Sequence, residues 1–237
     1  MKTPSLKRHP EVIVSFNAEV GRGGKAAVHS IRGIIEDHPR VSVIALQESE
    51  GYVDDLRQTF KGWKTYAKAG WPESDNCPIM VKRSEYTPRT RYGKTWGTLK
   101  CNRTWIGPKA GLKHPGRTWT WVKVGGVYVL SLHRVWGGER DFKGNGAAYA
   151  EEARKLTEWI REHQPCVVFG DTNCGFYEKH DNSMRDIREA VNGLLIADDN
   201  EPGIDYALTK RVTGVVRRTK TYGSDHKAAV LNGIEVR

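Results

Sequence analysis

Asparagine, glutamate, aspartate and histidine recur in this sequence at one kind of place, the end of an apolar run. Asn17 closes the run Glu11 to Phe16, Gln47 and Glu48 close Val41 to Leu46, and His133 follows Val127 to Leu132. Asp171 and Asn173 follow Cys166 to Phe169, Asp205 lies in Ile204 to Leu208, and Asp225 and His226 precede Lys227 to Leu231. A single such residue is commonly a turn former or a helix cap. Their repetition points further, because strand ends of an α/β sheet converge on one rim, where ligands bind. Carboxylates and amides are hard oxygen donors, suited to Mg²⁺ or Mn²⁺ shared with water and phosphate oxygens. A histidine beside an acid can be held protonated and neutralise charge on a phosphate in transfer. Together these residue types describe metal-assisted phosphoester hydrolysis. No serine elbow or Cys-His nucleophile pattern competes, and the run Gly21 to Lys25 lacks phosphate-loop spacing.

The elements that must carry these residues alternate along the chain. Glu11 to Phe16 and Val41 to Leu46 read as buried strands. Between them Gly23 to His38 reads as a helix, with Val28, Ile31, Ile34 and Ile35 on one face and a stop at Pro39. Tyr52 to Phe60 reads as a short helix, Ile79 to Lys82 as a strand, and Arg117 to Val124 and Val127 to Leu132 as a hairpin joined by Gly125 and Gly126. After a glycine-rich stretch from Gly137 to Gly146, Ala150, Ala153, Leu156 and Ile160 mark a long helix over Ala147 to His163. Cys166 to Phe169 is then a strand and Met184 to Val191 a helix, while Ile204 to Leu208 and Lys227 to Leu231 are closing strands. With no repeat or linker, the pattern predicts a basic tail over residues 1–10 and one mixed α/β domain over 11–237.

The formal net charge is +10 and the sequence pI about 9.5, which favours an anionic partner. From Lys61 to Lys143 there are 17 Lys and Arg against Glu73, Asp75, Glu85, Glu139 and Asp141, and seven of the eight tryptophans lie there too. Cations interleaved with aromatics suit a surface that follows a phosphate backbone and stacks on bases, although Trp119 and Trp121 also read as strand residues of a core. No apolar run approaches the roughly 18 residues of a membrane span. Met1 to Pro10 has no apolar leader core, so the cytoplasm is the expected location. The four cysteines lack zinc-finger spacing and are expected as thiols, with a Cys77 to Cys101 pairing left open.

Taken in order, Ser15-Phe16-Asn17, Leu46-Gln47-Glu48, Ser131-Leu132-His133, Gly170-Asp171-Thr172-Asn173, Ile204-Asp205-Tyr206 and Ser224-Asp225-His226 resemble the endonuclease/exonuclease/phosphatase superfamily, the deoxyribonuclease I-like proteins. The resemblance spans about residues 12 to 230. It implies a four-layered α/β sandwich, two mixed β-sheets packed face to face with helices outside. By position, it makes Glu48 the principal metal ligand, supported by Asn17, with Asp225 binding or orienting the metal. Asp171 would orient or deprotonate the attacking water, and Asn173 would hold Asp171 or the phosphate. Asp205 would pair with His226, the donor to a non-bridging phosphate oxygen. His133 occupies a position that is His in deoxyribonuclease I-like members and Tyr in abasic-site endonucleases. With His133, and Glu19 where those repair enzymes carry Asp, specific abasic-site repair becomes a poorer match.

The resulting expectation is a Mg²⁺-dependent nuclease, with Mn²⁺ as a plausible substitute, acting as a monomer on nucleic acid, DNA in the first instance. Arg134, Trp136 and Arg140, directly after His133, are expected to contact that nucleic acid, the indole stacking on a base and the guanidiniums meeting phosphates. The alternatives are a phosphatase or phosphodiesterase on a nucleotide or inositol phosphate, and a noncatalytic nucleic-acid-binding relative.

Overall fold

In a computed structural model of the chain, the described residues are 9–19, 22–49, 51–67, 77–85, 91–93, 119–134, 146–171, 187, 189–191, 193–195 and 205–237. For 85, 91–93, 146–149, 193–195 and 205–206 the description covers the backbone alone. The first sheet contains β1 (Val12–Asn17), β2 (Val41–Gln47), β3 (Trp63–Tyr66), β4 (Ile79–Lys82), β11 (Val212–Arg218) and β12 (Ala229–Val236). The second contains β5 (Arg91–Gly93), β6 (Thr120–Val124), β7 (Val127–His133), β8 (Cys166–Asp171), β9 (Gly193–Leu195) and β10 (Asp205–Lys210). Their orders are β11-β12-β1-β2-β4-β3 and β5-β6-β7-β8-β10-β9.

Both sheets are mixed. Each holds one parallel pair, β1 with β2 and β7 with β8, and its other pairs are antiparallel. A parallel pair needs a crossover, which α1 (Gly24–Asp37) supplies in the first sheet and α3 (Gly146–Glu162) in the second. A shorter helix, α2 (Val53–Thr59), follows β2.

The central strands are apolar on both faces, which is why they read as continuous runs. Ile13, Val43, Ala45, Ile79 and Val81 meet Val122, Val129, Val167 and Phe169 between the sheets. The intervening residues Val12, Val14, Phe16, Ile44 and Leu46 pack with Ile31 and Ile34 of α1. On the other side Leu130, Leu132 and Val168 pack with Leu156, Trp159 and Ile160 of α3. The result is the expected sandwich: helix, sheet, sheet, helix. Among the described residues no helix is long and apolar enough to cross a membrane.

Several boundaries move. The last strand is Ala229–Val236 rather than 227–231, because β12 lies between β1 and β11 and its outer half continues along β11. Strands β3, β5, β9 and β11 escaped the sequence pattern: the first three are only 3 or 4 residues long, and β11 alternates little on the exposed edge. Of the expected helix over 184–191, residues 187, 189 and 190 are helical and the remainder is largely outside the described residues. The tail reading does not extend to His9 and Pro10: the His9 Nδ1 is 2.8 Å from the Gly125 carbonyl oxygen, and Pro10 is buried. Gly125 and Gly126, at φ of 55° and 91°, make the hairpin turn expected of two glycines. Trp119 and Trp63 are buried, and Trp121 packs on Tyr128, Trp159 and His163. These described tryptophans of the basic region are packing residues; Trp71, Trp96, Trp105 and Trp136 lie outside the described residues.

Among the described glycines the backbone is approached most closely at Gly170, whose φ is 144° and where an added Cβ would collide with the Leu132 carbonyl oxygen. Gly170 pairs with Leu132 across β7 and β8, one residue before His133 and Asp171. A Gly170→Ala substitution is expected to cost about 2 to 4 kcal/mol through strain and overpacking. Urea denaturation of the two proteins measures it, and an unchanged midpoint would show that the strands separate freely at this point.

Candidate active site

Side chains on a strand alternate between faces, so the inter-sheet face can be followed by counting in twos. Along β1 it carries Ile13, Ser15 and Asn17; along β2 Val43, Ala45 and Gln47; along β7 Val127, Val129, Ser131 and His133; along β8 Val167, Phe169 and Asp171. Each strand enters the interior apolar and leaves it polar, and all four do so at the same end, since β1 with β2 and β7 with β8 run parallel in register. In the backbone register, Asp205 pairs with Asp171 at the start of antiparallel β10.

The first polar layer joins the sheets. Ser15 Oγ donates to Gln47 Oε1 at 3.3 Å, Gln47 Nε2 donates to Ser131 Oγ at 3.0 Å, and Ser131 Oγ donates to the Leu46 carbonyl oxygen at 2.7 Å. All of these groups are buried, where an unpaired amide or hydroxyl is costly. This layer has no counterpart among the expected site residues, although the alternation of β2 places Gln47 inward.

Above it lies the layer that holds the expected site residues. Glu48 breaks the alternation: at φ of 50° it leaves strand geometry, and its carboxylate turns toward His133 and not toward the outer face shared by Ile44 and Leu46. His133 Nδ1 is 3.8 Å from Glu48 Oε1 and its Nε2 is 3.6 Å from Asp171 Oδ2. Asn17 Nδ2 donates to Glu48 Oε1 at 3.2 Å, while Asn17 Oδ1 accepts from the Glu19 backbone N–H at 3.0 Å. One ligand atom from each of Glu48, His133 and Asp171 lies within 4.8 Å of the others. Of these, the Glu48 carboxylate is a hard oxygen donor suited to a divalent cation, and it retains access to solvent at 23% side-chain exposure.

The loop after β11 closes over the same corner. Ser224 Oγ donates to the Asn17 carbonyl oxygen at 2.9 Å and accepts the His226 backbone N–H at 3.2 Å. His226 Nε2 lies 3.7 Å from Asp225 Oδ1, and the Asp225 side chain is 70% exposed. Tyr222 anchors this loop to α1: its carbonyl accepts from Ser30 Oγ at 2.7 Å and its hydroxyl donates to Asp37 at 3.0 Å. Hydrogen bonds from Lys220 and then Tyr222 hold the Asp37 carboxyl below the usual carboxylate range.

Asn17, Glu48, His133 and Asp171 are thus gathered at one rim, with Asp225 and His226 on the loop tied to Asn17. The Asp205 side chain and the whole of Asn173, Trp136 and Arg140 lie outside the described residues. Arg134 requires a correction. Its side chain is 0% exposed and its Nε is 3.5 Å from Oε2 of the equally buried Glu152, so it faces the interior and not a nucleic acid. Directly after a strand-end residue, the alternation turns it toward α3, where Glu152 supplies the counter-charge. Cys77 was also missed as a neighbour of the site. It is a buried free thiol, and burial, followed by the carboxylates of Glu152, Glu48 and Asp171, pushes its ionisation far above the ordinary range. It is therefore neutral and not a nucleophile.

No family model and no curated protein sequence matches this chain. Solved structures do. An endonuclease/exonuclease/phosphatase from Bacteroides vulgatus superposes with a TM-score of 0.66 at 15% identity, over 97% of this chain and 100% of that one. The 3′ phosphatase NExo from Neisseria, bound to a product DNA hairpin, superposes with a TM-score of 0.62 at 14% identity, over 96% and 99% of the two chains. A mannosyl-6-phosphatase from Bacteroides thetaiotaomicron gives a TM-score of 0.60 at 17% identity, over 95% and 99%. The chain has the fold of the endonuclease/exonuclease/phosphatase proteins.

The polar layer beneath the site yields a direct expectation. Ser131→Ala removes the acceptor of the Gln47 amide and the donor to Leu46, and should destabilise by about 1 to 3 kcal/mol. Chemical denaturation reads this loss, and a midpoint equal to the parent would mean that the sheets hold their alignment by apolar contact alone.

Proposed function

We propose that this protein is a metal-dependent nuclease that hydrolyses phosphodiester bonds of nucleic acid, DNA in the first instance, by in-line attack of water. The observation that carries the reading is the convergence of Asn17, Glu48, His133 and Asp171 where the inter-sheet faces turn polar. Glu48 would hold Mg²⁺ or Mn²⁺, with Asn17 orienting its carboxylate and Asp225 binding or orienting the metal. A bound divalent cation would supply Lewis-acid polarisation of a phosphoryl oxygen.

The remaining chemistry falls to the chain. Asp171, buried and next to His133, accepts the proton of the attacking water as its oxygen bonds to phosphorus and the bond to the leaving oxygen breaks. Asn173, two residues on, holds Asp171 or the phosphate. His226 donates to a non-bridging oxygen and Asp205 orients it, while His133 sets the spacing of Glu48 and Asp171 and adds positive charge when protonated. The net charge of +10 and the DNA held by the structurally similar NExo favour a polynucleotide. The mannosyl-6-phosphatase with the same fold supports a second reading, a phosphatase on a small phosphorylated compound.

Purified protein incubated with labelled single-stranded, double-stranded and abasic DNA, RNA, nucleotide monophosphates and a sugar phosphate, with Mg²⁺, Mn²⁺ or EDTA, tests both. Cleavage of a polynucleotide that EDTA stops, with affinity falling steeply as salt rises, supports the nuclease. Turnover confined to monophosphates selects the second reading, and no turnover on any substrate rejects both. Asp171→Asn should lower kcat by about 10² to 10⁴ while substrate still binds. Glu48→Gln should shift the Mg²⁺ titration to far higher concentration; equal half-saturation in the two proteins would remove Glu48 as the metal ligand.

A further inference from the structure

A buried ion pair lies directly behind the layer that holds the expected site residues. Arg134 and Glu152 are both 0% exposed, with 3.5 Å between Nε and Oε2. Glu152 stands on the packed face of α3, beside Ala153 and one turn before Leu156, and its Oε1 accepts the Trp119 indole N–H at 3.1 Å. At the other end, the Arg134 backbone N–H donates to the Asp171 carbonyl oxygen at 2.9 Å. The residue before Arg134 is His133, and the partner of His133 across the strands is Asp171. One short connection therefore runs from α3, through two opposite charges, to the backbone of both groups that face the reaction.

Taking two charges out of water is costly, and apolar residues of similar size commonly stabilise such a place as well or better. Stability alone therefore gives a weak account of this pair. Placement gives a stronger one: opposite charges 3.5 Å apart, with Glu152 itself held by the Trp119 indole N–H, fix the end of β7 to one point on α3, whereas apolar contacts slide. We propose that Arg134 and Glu152 are a positioning pair for the active site, tying the end of β7 to α3 so that His133 stays seated between Glu48 and Asp171. The proposal rests on the phosphoester-hydrolase reading of the site. Neither side chain reaches solvent, so neither meets substrate, and both act through His133 and Asp171. The charge balance has the same sense. Glu152 is near enough to Cys77 to act on its thiol together with Glu48 and Asp171, so three carboxylates share this region and Arg134 is the permanent cation set against Glu152.

The test uses the full chain, the substrate cleaved best by the parent, and two variants. Glu152→Gln retains an acceptor for Trp119 and removes the charge. The double variant Arg134→Met with Glu152→Met replaces both charges by apolar side chains of similar length. Measured are kcat, KM, the thermal midpoint and the ring ¹H–¹⁵N signals of His133, assigned by comparison with His133→Gln. For Glu152→Gln, kcat should fall about 10- to 100-fold with KM within about threefold, and the His133 signals should move. The double variant should regain most of the thermal midpoint while its kcat stays at least about tenfold down. A double variant that is stable and turns over at the parental rate would overturn the proposal. Where it does not fold, Glu152→Gln decides: parental kcat with unmoved His133 signals overturns it equally. A parent that cleaves nothing rejects the function and not the pair, because the His133 signals report on the pair without turnover.

Discussion

The Gln47 amide is fully buried between the two sheets, and its two ends must both be satisfied there. Apolar packing holds the sheets face to face but is indifferent to small slides, because the hydrophobic effect has no direction. A hydrogen bond does have direction. Ser15 and Gln47 from one sheet and Ser131 from the other fix how far each sheet extends past its neighbour. Everything above that layer depends on the alignment, since Asn17 and Glu48 are supplied by one sheet and His133 and Asp171 by the other.

Two local backbone features finish the site. Glu48 takes a left-handed conformation that an L-residue adopts at some cost, and this turns a carboxylate that strand geometry would send outward. Gly170 lets β8 approach β7 so closely that no side chain fits, which brings Asp171 beside His133. Charge is arranged with similar economy. Cys77, kept neutral first by burial and then by the nearby carboxylates, adds no further negative charge beside Glu48 and Asp171.

Much of this was legible in the sequence. Val12 to Phe16, Val41 to Leu46 and Cys166 to Phe169 announce doubly buried strands by being apolar but for Ser15 and Ser42, and the polar residue that ends each is there because the interior ends. Asn17, Glu48, His133 and Asp171 could be found in that way. Their mutual distances could not, since these depend on a left-handed residue and a close backbone approach that leave no periodic trace. Arg134 was misread for a related reason. An arginine beside a candidate site and a glycine-rich stretch has the composition of a ligand contact, and only the fold reveals that Glu152, 18 residues further on, is waiting on the inner side of α3. Strands of 3 or 4 residues, such as β5 and β9, are too short for alternation to stand out.

The position of β12 has a consequence for how the molecule comes into being. This strand, formed by residues 229–236, lies between β1 and β11, so the first-made strand of its sheet waits for the last before its free edge is covered. The corner where Ser224 grips the Asn17 carbonyl is assembled at the same moment, from segments more than 200 residues apart. During synthesis from the N-terminus, Glu48, His133 and Asp171 all leave the ribosome before that corner exists. Such long-range pairing closes late in folding. A nascent chain therefore carries its acids and imidazole in an unfinished arrangement until β12 pairs with β1.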